Sequence, residues 1–343
     1  MQWVNRALEP LGFLDGINVL FRGISQVMFV NSPLVGLLIT LAIGLHDSAL
    51  CLMGLWGCFW TTLLAARMSG STQALHNGAI GFSGALIGFA LFTLSARFDQ
   101  VDMGLWLLLV VPLSYLNVVL IYRFGSWFVS QTGLPFFTLP YNFTVYLLIA
   151  VTAHIWPAAF EGAAKSFESG GPLGGQGLFE AVLVNFGQVF FVDNLSTSLL
   201  ILCAVTLCSP IAALLGLLGA TLFVVVSQVV GFDTSVIRSG VVGYNTVLTA
   251  VVVGGVVHIA TFKAVVVATV AATLSAVISL SIAVIMLPIG VPVLTLPFCL
   301  ATILSLFVIR KYLPGQLCSV LNEFATPEEN RVLYKGDISR CSS

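Results

Sequence analysis

One run of residues limits what this chain can become. Positions 264–287 read AVVVATVAATLSAVISLSIAVIML and carry no charged side chain. As a helix, about 20 such residues span the ~30 Å hydrocarbon core of a bilayer. A second run, GLWLLLVVPLSYLNVVLIY at 104–122, has the same character. A backbone in lipid must satisfy its own hydrogen bonds, and the alternation of a spanning barrel is missing, so both runs predict transmembrane helices.

Composition extends this prediction to the whole chain. Hydrophobic residues make up 58% and charged residues 8% of the sequence, against about 25% charged in globular proteins. Apolar runs recur from end to end and leave no room for a separate soluble domain. The chain is therefore predicted to be an all-α polytopic protein of the lipid bilayer, and its net charge of −1 gives no reason to expect nucleic acid as a partner.

Two further features bear on processing and cofactors. The first 16 residues, MQWVNRALEPLGFLDG, are too polar for a cleaved secretion signal, so we expect the mature spans to direct insertion. The seven cysteines form no C-x-x-C pair, and most lie inside apolar runs. We expect them to pack as small hydrophobic residues, with no disulfide framework, metal or other cofactor.

Three sequence blocks occur twice in the same order. SQVMFVN at 25–31 matches GQVFFVD at 187–193, which places Gln188 162 positions after Gln26. NGAIGFSGALIG at 77–88 matches SGVVGYNTVLTA at 239–250, also 162 positions apart. LPFFTLP, which begins at Leu134, matches VPVLTLP, which begins at Val291, 157 positions later. Collinear matches at nearly one spacing indicate an internal repeat.

A polar Gly/Ser-rich stretch, EGAAKSFESGGPLGGQG, separates the two copies and is typical of a flexible linker. The predicted organisation is an N-terminal segment at 1–16, a first membrane repeat at 17–160, a linker at 161–177, a second repeat at 178–312 and a polar tail at 313–343. Each repeat contains five predicted spans. They cover 17–45, 48–66, 77–95, 103–122, 134–156, 178–207, 210–230, 240–258, 264–287 and 292–309.

Because five is odd, the two repeats are predicted to be inverted relative to each other. Ten spans place both termini on one side, and the positive-inside rule favours the cytoplasm. That orientation leaves Arg97, Lys165 and Arg238 outside. It places nine basic residues inside: Arg6, Arg67, Arg123, Lys263, Arg310, Lys311, Arg331, Lys335 and Arg340.

No catalytic constellation is visible, so we do not expect an enzyme. The four histidines are scattered and are predicted to lie at span ends or to make packing hydrogen bonds. The acids Asp47, Asp99, Asp102, Asp233, Glu161 and Glu168 fall near predicted loops, which disfavours ion-coupled transport. Asp193 aligns with Asn31 where each first span breaks, and we expect both residues to cap the following helix.

The repeated blocks place polar and aromatic groups together. In QVMF and QVFF a phenylalanine stands three residues after the glutamine, a spacing that predicts one shared helix face. The G-x-x-G blocks each add an aromatic ring, and the P-x-x-T-x-P blocks break a helix beside a hydroxyl. Ordinary packing remains the alternative for each block: a glutamine bonded to a neighbouring helix, small-residue contacts, and threonine bonded to its own backbone.

Together these features favour a wall for a small neutral solute. Broken helices expose backbone carbonyls at membrane depth, which is tolerated beside protein or a solute pathway. Paired rings admit a flat molecule and exclude hydrated ions, because stripping water from a charge is not repaid there. A planar solute rich in N–H donors meets both conditions.

At these blocks the sequence resembles the urea transporter family over about residues 17–310. The family element L-P-x-x-T-x-P-F is present as LPFFTLPY and VPVLTLPF, beside the Q-V-x-F and G-x-x-G-[FY] elements. The resemblance implies passive conduction of urea through a pore within each protomer. It further implies two inverted repeats of five spans, each with a tilted half-crossing pore helix, in a homotrimer of the plasma (inner) membrane.

The resemblance also implies roles for individual residues. Gln26 and Gln188 would sit near the two mouths, and Thr138 and Thr295 would face each other at the narrow centre. One urea slot would be lined by Val27, Phe29, Phe82 and Leu86. The other would be lined by Val189, Phe191, Tyr244 and Leu248.

Some positions depart from the family pattern. Both mouth positions are glutamine where relatives often have a carboxylate at one. Tyr141 replaces a phenylalanine, Val291 replaces a leucine, and Ser83 stands where asparagine is common. A channel for ammonia, water or short amides, or an ion-coupled secondary transporter, remains the alternative function.

Overall fold

The computed structural model describes residues 13–69, 73–98, 101–161 and 173–341. The predicted N-terminal segment to residue 12 and linker residues 162–172 lie outside this part. Six long helices form the first half. They are α1 Phe13–Gln26, α2 Pro33–His46, α3 Ser48–Ser69, α4 Gly81–Ser95, α5 Met103–Leu120 and α6 Leu139–Ile155.

Six matching helices form the second half, and one more follows them. They are α7 Gly175–Gln188, α8 Leu195–Cys208, α9 Pro210–Val229, α10 Tyr244–Val251, α11 Phe262–Met286, α12 Leu296–Tyr312 and α13 Pro327–Cys341. Two helices continue through π-helical turns, α5 over Ile121–Gly125 into Ser126–Thr132 and α10 over Val252–Val256. Short helical segments span Gln73–His76, Ala158–Glu161, Thr234–Ser239 and Leu287–Ile289.

The two halves match helix by helix. Helices α1 and α7 have 14 residues each, α2 and α8 also have 14 each, and α6 and α12 have 17 each. Packing follows the same plan: α1 lies against α2 as α7 lies against α8, and α3 lies against α4 as α9 lies against α10. The halves meet where α2 packs on α8 and α6 on α12.

The helices are suited to lipid. Within the described residues, four helical segments are long and apolar enough to cross a membrane, and five shorter helices are apolar as well. Large apolar side chains point outward, and Leu45, Val229 and Phe262 are 83%, 81% and 83% exposed. In water such a surface would aggregate, whereas in a bilayer it needs no cover.

The predicted break in each first span is confirmed. Helix α1 ends at Gln26 and α2 begins at Pro33, and α7 ends at Gln188 before α8 begins at Leu195. The predicted caps, however, are displaced by one residue. The capping side chains are Ser32, which accepts from the Val35 backbone N–H, and Asn194, which accepts from that of Thr197. The expectation that Asn31 and Asp193 cap these helices is therefore wrong.

Three of the acids predicted to lie near loops serve as helix caps. Asp47 accepts hydrogen bonds from the backbone N–H groups of Ala49 and Leu50 at 2.9 and 3.0 Å. Asp102 caps α5, and Asp233 caps Thr234–Ser239. A carboxylate at a helix N-terminus meets unpaired N–H groups and the positive end of the helix dipole. Asp99 and Glu168 lie outside the described residues.

Glycine sets the close approach of α3 to α4. A β-carbon at Gly84 would lie 2.2 Å from the carbonyl oxygen of Gly57. The second half repeats this contact, because a β-carbon at Gly219 would lie 2.3 Å from the carbonyl oxygen of Thr246. Neither helix pair could keep its spacing with alanine at these positions.

The tail, described to residue 341, folds back onto both halves, which its polar composition did not predict. Glu328 at the start of α13 accepts from the Ser209 hydroxyl at 2.7 Å and from the backbone N–H of Ile211 at 2.6 Å. The loop between α10 and α11 pairs with the tail, as Ile259 donates to the carbonyl of Cys318 at 2.8 Å. In the first half, the side-chain amide of Asn31 donates to the carbonyl of Phe324 at 3.0 Å.

Candidate solute pathway

Two strained turns follow α1 and α7. Phe29 has φ 57° and Phe191 has φ 62°, in the left-handed region that costs a non-glycine residue about 1–2 kcal/mol. The same two backbone hydrogen bonds close both turns. In the first, Val30 donates to the Ser25 carbonyl and Phe29 to the Gln26 carbonyl. In the second, Val192 donates to the Gly187 carbonyl and Phe191 to the Gln188 carbonyl. This is the Schellman arrangement of a helix end, with phenylalanine at the position glycine usually takes.

These turns correct one prediction. Gln26 and Phe29 do not share a helix face, because α1 ends at Gln26 and the chain reverses through Phe29. The same holds for Gln188 and Phe191. The three-residue spacing suggested a continuous helix, and the sequence lacks the glycine that would have signalled the left-handed turn.

A second pair of strained turns precedes α6 and α12. Phe137 has φ 47° and Leu294 has φ 52°. In the part of the chain that the structure describes, the four non-glycine residues with positive φ are thus Phe29, Phe137, Phe191 and Leu294. They form two pairs at the spacings of the sequence repeat. Backbone strain of this kind is retained where a site requires a particular geometry.

Thr138 and Thr295 directly follow these turns and begin α6 and α12. Their backbone angles are nearly identical, with φ −96° and ψ 14° against φ −95° and ψ 16°. Neither hydroxyl caps its own helix. The second proline of each copy of the element, Pro140 or Pro297, occupies the first helical turn, where its missing N–H costs nothing.

The two threonine side chains meet. Their Oγ1 atoms lie 2.7 Å apart, and both residues are 3% exposed. Cys299 places its Sγ 3.0 Å from Thr138 Oγ1, and Asn142 donates from Nδ2 to Thr295 Oγ1 at 3.0 Å. The contact joins the two halves in a cluster of hydroxyl, thiol and amide groups, each of them neutral. We call Thr138, Asn142, Thr295 and Cys299 the central polar cluster.

Aromatic and aliphatic side chains adjoin this cluster. The Phe29 ring lies 5.7 Å from that of Phe298, and the Phe137 ring lies 5.3 Å from it. On the other side, Phe191 and Leu294 line a cavity of about 40 Å³ with residues of α4 and α6, among them Thr93 and Val145. This volume has room for water. Each strained phenylalanine therefore lies against residues of the opposite half.

The other predicted lining residues belong to the same packed region. Five are buried: Val27, Leu86, Val189, Tyr244 and Leu248. Three are partly buried and pack against that core: Phe29, Phe82 and Phe191. All eight belong to a hydrophobic core that extends through both halves of the molecule.

The two glutamines predicted to lie near the mouths have different surroundings. Gln26 is partly buried and donates from Nε2 to the Asn77 carbonyl at 3.1 Å. Asn77 in turn accepts at Oδ1 from Asn31 Nδ2 at 2.7 Å, and Arg22 donates to Asn31 Oδ1 at 2.6 Å. Gln188 is 9% exposed and packs near the left-handed Gly240. Within the described residues, Gln26, but not Gln188, is thus held by a hydrogen-bonded network of asparagine side chains that extends to the tail at Phe324.

Sequence reasoning missed several of these groups. Asn142 has no predicted role, and Cys299 is predicted to pack as a small hydrophobic residue. A signal was available for both, because they occupy equivalent positions, 157 residues apart. Each stands one helical turn after its threonine, on the same face. The braces made by Asn31 and Asn77 had no sequence signal.

Comparison with known proteins bears directly on this arrangement. The sequence model of the family described as "Urea transporter" matches residues 17–310. The chain belongs to the urea transporter family. It is 28% identical to urea transporter 1 of Rattus norvegicus over 337 residues, which cover 97% of this chain and 86% of that relative. The urea transporter 1 proteins of Ovis aries and Mus musculus are also 28% identical, with the same coverage.

Family membership accounts for the general character of the molecule. As a member of the urea transporter family with long apolar helices, the chain is an integral membrane protein. Members of this family are transporters, and the chain is not an enzyme. The match spans both halves and both threonine turns, and it ends before the tail that contains Phe324 and α13.

Proposed function

We propose that this protein is a passive channel for urea. The observation that carries the proposal is the central polar cluster, in which Thr138 and Thr295 join the two halves at 2.7 Å beside aromatic side chains. Urea offers N–H donors and a carbonyl acceptor. Neutral hydroxyl and amide groups can exchange hydrogen bonds with it without the desolvation cost that a charged permeant would meet.

The acids argue against coupling to ions. Among the residues whose side chains the structure describes, Asp233 is the buried carboxylate, and it caps a short helix. Coupled transporters usually need an ionisable group deep in the membrane. The central polar cluster contains no ionisable carboxylate. This fits a passive route, in which urea binds briefly and is released without a coupled ion.

In the proposed route, urea enters beside Gln26 or Gln188 and exchanges water for amide and carbonyl partners. It passes between Val27, Phe29, Phe82 and Leu86 in one slot and Val189, Phe191, Tyr244 and Leu248 in the other. Between the slots it replaces the hydrogen bond that joins Thr138 to Thr295. Matched helix lengths and paired strained turns support a pore built from two inverted repeats of five spans, with a tilted half-crossing helix in each.

We further propose a homotrimer in the plasma (inner) membrane, with both termini cytoplasmic and one pore in each protomer. Helix faces rich in exposed apolar side chains leave area for both lipid and neighbouring protomers. Native mass spectrometry of the detergent-solubilised protein tests the stoichiometry. Monomeric protein that still conducts urea would contradict the trimer and leave the channel proposal intact.

The channel proposal is tested by urea efflux from proteoliposomes of the purified chain. We expect saturable flux without a proton or sodium gradient, since no coupling group is needed. Flux that appears only when a gradient is imposed contradicts a passive channel. Comparing urea, formamide, ammonia and water in the same vesicles separates a urea channel from a channel for another small neutral solute.

A further inference from the structure

Asn142 carries a hydrogen-bond acceptor that the folded protein does not use. Its side chain is 1% exposed, and its Oδ1 has no hydrogen-bond partner among the described residues. A buried amide oxygen without a partner costs about 1–3 kcal/mol. Such an atom therefore calls for a specific explanation.

The orientation of this amide is fixed by its donors. Nδ2 has two hydrogens, and it donates to the Thr138 carbonyl and to Thr295 Oγ1, both at 3.0 Å. Rotating the amide by 180° would place Oδ1 against the Thr138 carbonyl oxygen, and two acceptors would face each other. The unpaired atom is therefore the oxygen.

Two other buried amide oxygens lack partners in the described part of the chain, those of Asn117 and Asn185. Asn117 lies in the first half and Asn185 in the second, and the contacts of each stay within its own half. Asn117 donates to Ser83 Oγ, and the oxygen of Asn185 lies against Gly243, where a β-carbon would come within 2.1 Å of it. Asn142 differs because its side chain contacts residues of both halves inside the central polar cluster.

The cluster also holds a spare donor. Thr138, Thr295 and Cys299 carry three hydroxyl or thiol protons, and two contacts join them: Thr138 with Thr295, and Thr138 with Cys299. One proton is therefore left over for a solute oxygen. An unpaired acceptor and an available donor beside each other complement the N–H and C=O groups of a small amide.

We propose that Asn142 Oδ1 accepts a hydrogen bond from an N–H group of urea as it passes Thr138 and Thr295, which makes Asn142 a specificity-determining residue. The inference rests on the proposed function and names one contact within it. Cys299 occupies the equivalent position in the other half, so a single half supplies the acceptor. The constriction is consequently asymmetric, although its two threonines are matched.

The test compares Asn142→Leu with Asn117→Leu in proteoliposomes. Both variants remove a buried amide with an unpaired oxygen, but only Asn142 lies in the central polar cluster. We expect Asn142→Leu to lower saturable urea flux about tenfold, and Asn117→Leu to change it less than about twofold. An Asn142→Leu protein that folds and conducts urea like the wild type overturns the inference.

A second pair of variants tests the same contact if Asn142→Leu folds poorly. Asn142→Ser keeps an oxygen acceptor near this position, whereas Asn142→Ala does not. At equal amounts of folded protein, the serine variant should conduct faster than the alanine variant. Equal fluxes overturn the inference, because loss of packing alone would affect both. Absence of saturable urea flux in the wild type would instead contradict the proposed function itself.

Discussion

Asn245 holds the strained residue Leu294 in place. Its Nδ2 donates to the Leu294 carbonyl at 3.1 Å, and its Oδ1 accepts from the backbone N–H of Phe298 at 3.1 Å. The equivalent residue of the first half is Ser83, whose Oγ donates to the carbonyl of Ile80 and accepts from Asn117. A side chain of α10 thus stabilises the turn before Thr295, and the turn before Thr138 has no equivalent bond from Ser83.

Replacing Asn245 by alanine should destabilise the protein by about 2–4 kcal/mol, because three buried backbone groups lose a hydrogen bond: the carbonyls of Val242 and Leu294 and the N–H of Phe298. Ser83→Ala is the matched control and should cost about 1 kcal/mol. Unfolding of both variants in mixed micelles measures the difference. Equal losses of stability would show that the Asn245 bonds do not hold the Leu294 turn.

Replacing both Thr138 and Thr295 by valine should lower urea flux strongly while retaining the fold. Valine has nearly the shape of threonine but offers no hydrogen bond, so urea would lose a partner where the two threonines join the halves. We expect a loss of at least tenfold, which corresponds to about 1.4 kcal/mol. Proteoliposome efflux at equal amounts of folded protein gives the measurement, and unchanged flux would remove both hydroxyls from the pathway.

The tail should depend on Asn31. In Asn31→Asp, a carboxylate oxygen replaces the Nδ2 that donates to Asn77 Oδ1 and the Phe324 carbonyl, so acceptors would face acceptors. We expect faster proteolysis in the tail and a higher half-saturating urea concentration, because Asn77 also holds Gln26. Limited proteolysis and concentration-dependent flux measure the two effects.

Asp193→Asn is the control for this change. It alters the equivalent position of the other half, where the side chain is exposed. Proteolysis of the tail should match that of the wild type in this variant. If Asn31→Asp leaves both the tail and the half-saturation value unchanged, the network does not brace the mouth at Gln26.

Much of the helical plan could be predicted from sequence, because it rests on signals that act locally. Apolar length predicts a span. The two spans predicted from 134 and 292 nevertheless start too early, because α6 and α12 begin at Leu139 and Leu296, after the threonine turns. Duplication then pointed to Thr138 and Thr295, which the structure brings together.

What could not be predicted depends on tertiary context. The left-handed turn at Phe29 contradicts local propensity and forms only because packing over-determines it. The contact between Asn31 and Phe324 joins residues 293 positions apart, and no spacing rule reaches that far. The oxygen of Asn142 is left without a partner because both N–H groups of this amide donate to Thr138 and Thr295. That arrangement exists only once the two halves have packed together.

Acid should loosen the docked tail through His258. The predicted span 240–258 ends earlier in the structure, at Val256, so this residue lies in the loop between α10 and α11. It is 6% exposed and donates from Nδ1 to the Val253 carbonyl at 3.0 Å. Burial lowers the pKa of His258 below its ordinary value of 6.5. The docked state therefore binds a proton less readily than the undocked state, and its stability falls as the pH drops through about 6.5 toward the lowered pKa. Proteolysis of the tail should accelerate over that range.

The control is His258→Asn, which keeps an N–H donor without a titrating ring. In this variant the rate of tail proteolysis should not change with pH. A wild-type rate that does not vary with pH would exclude His258 as the sensitive group.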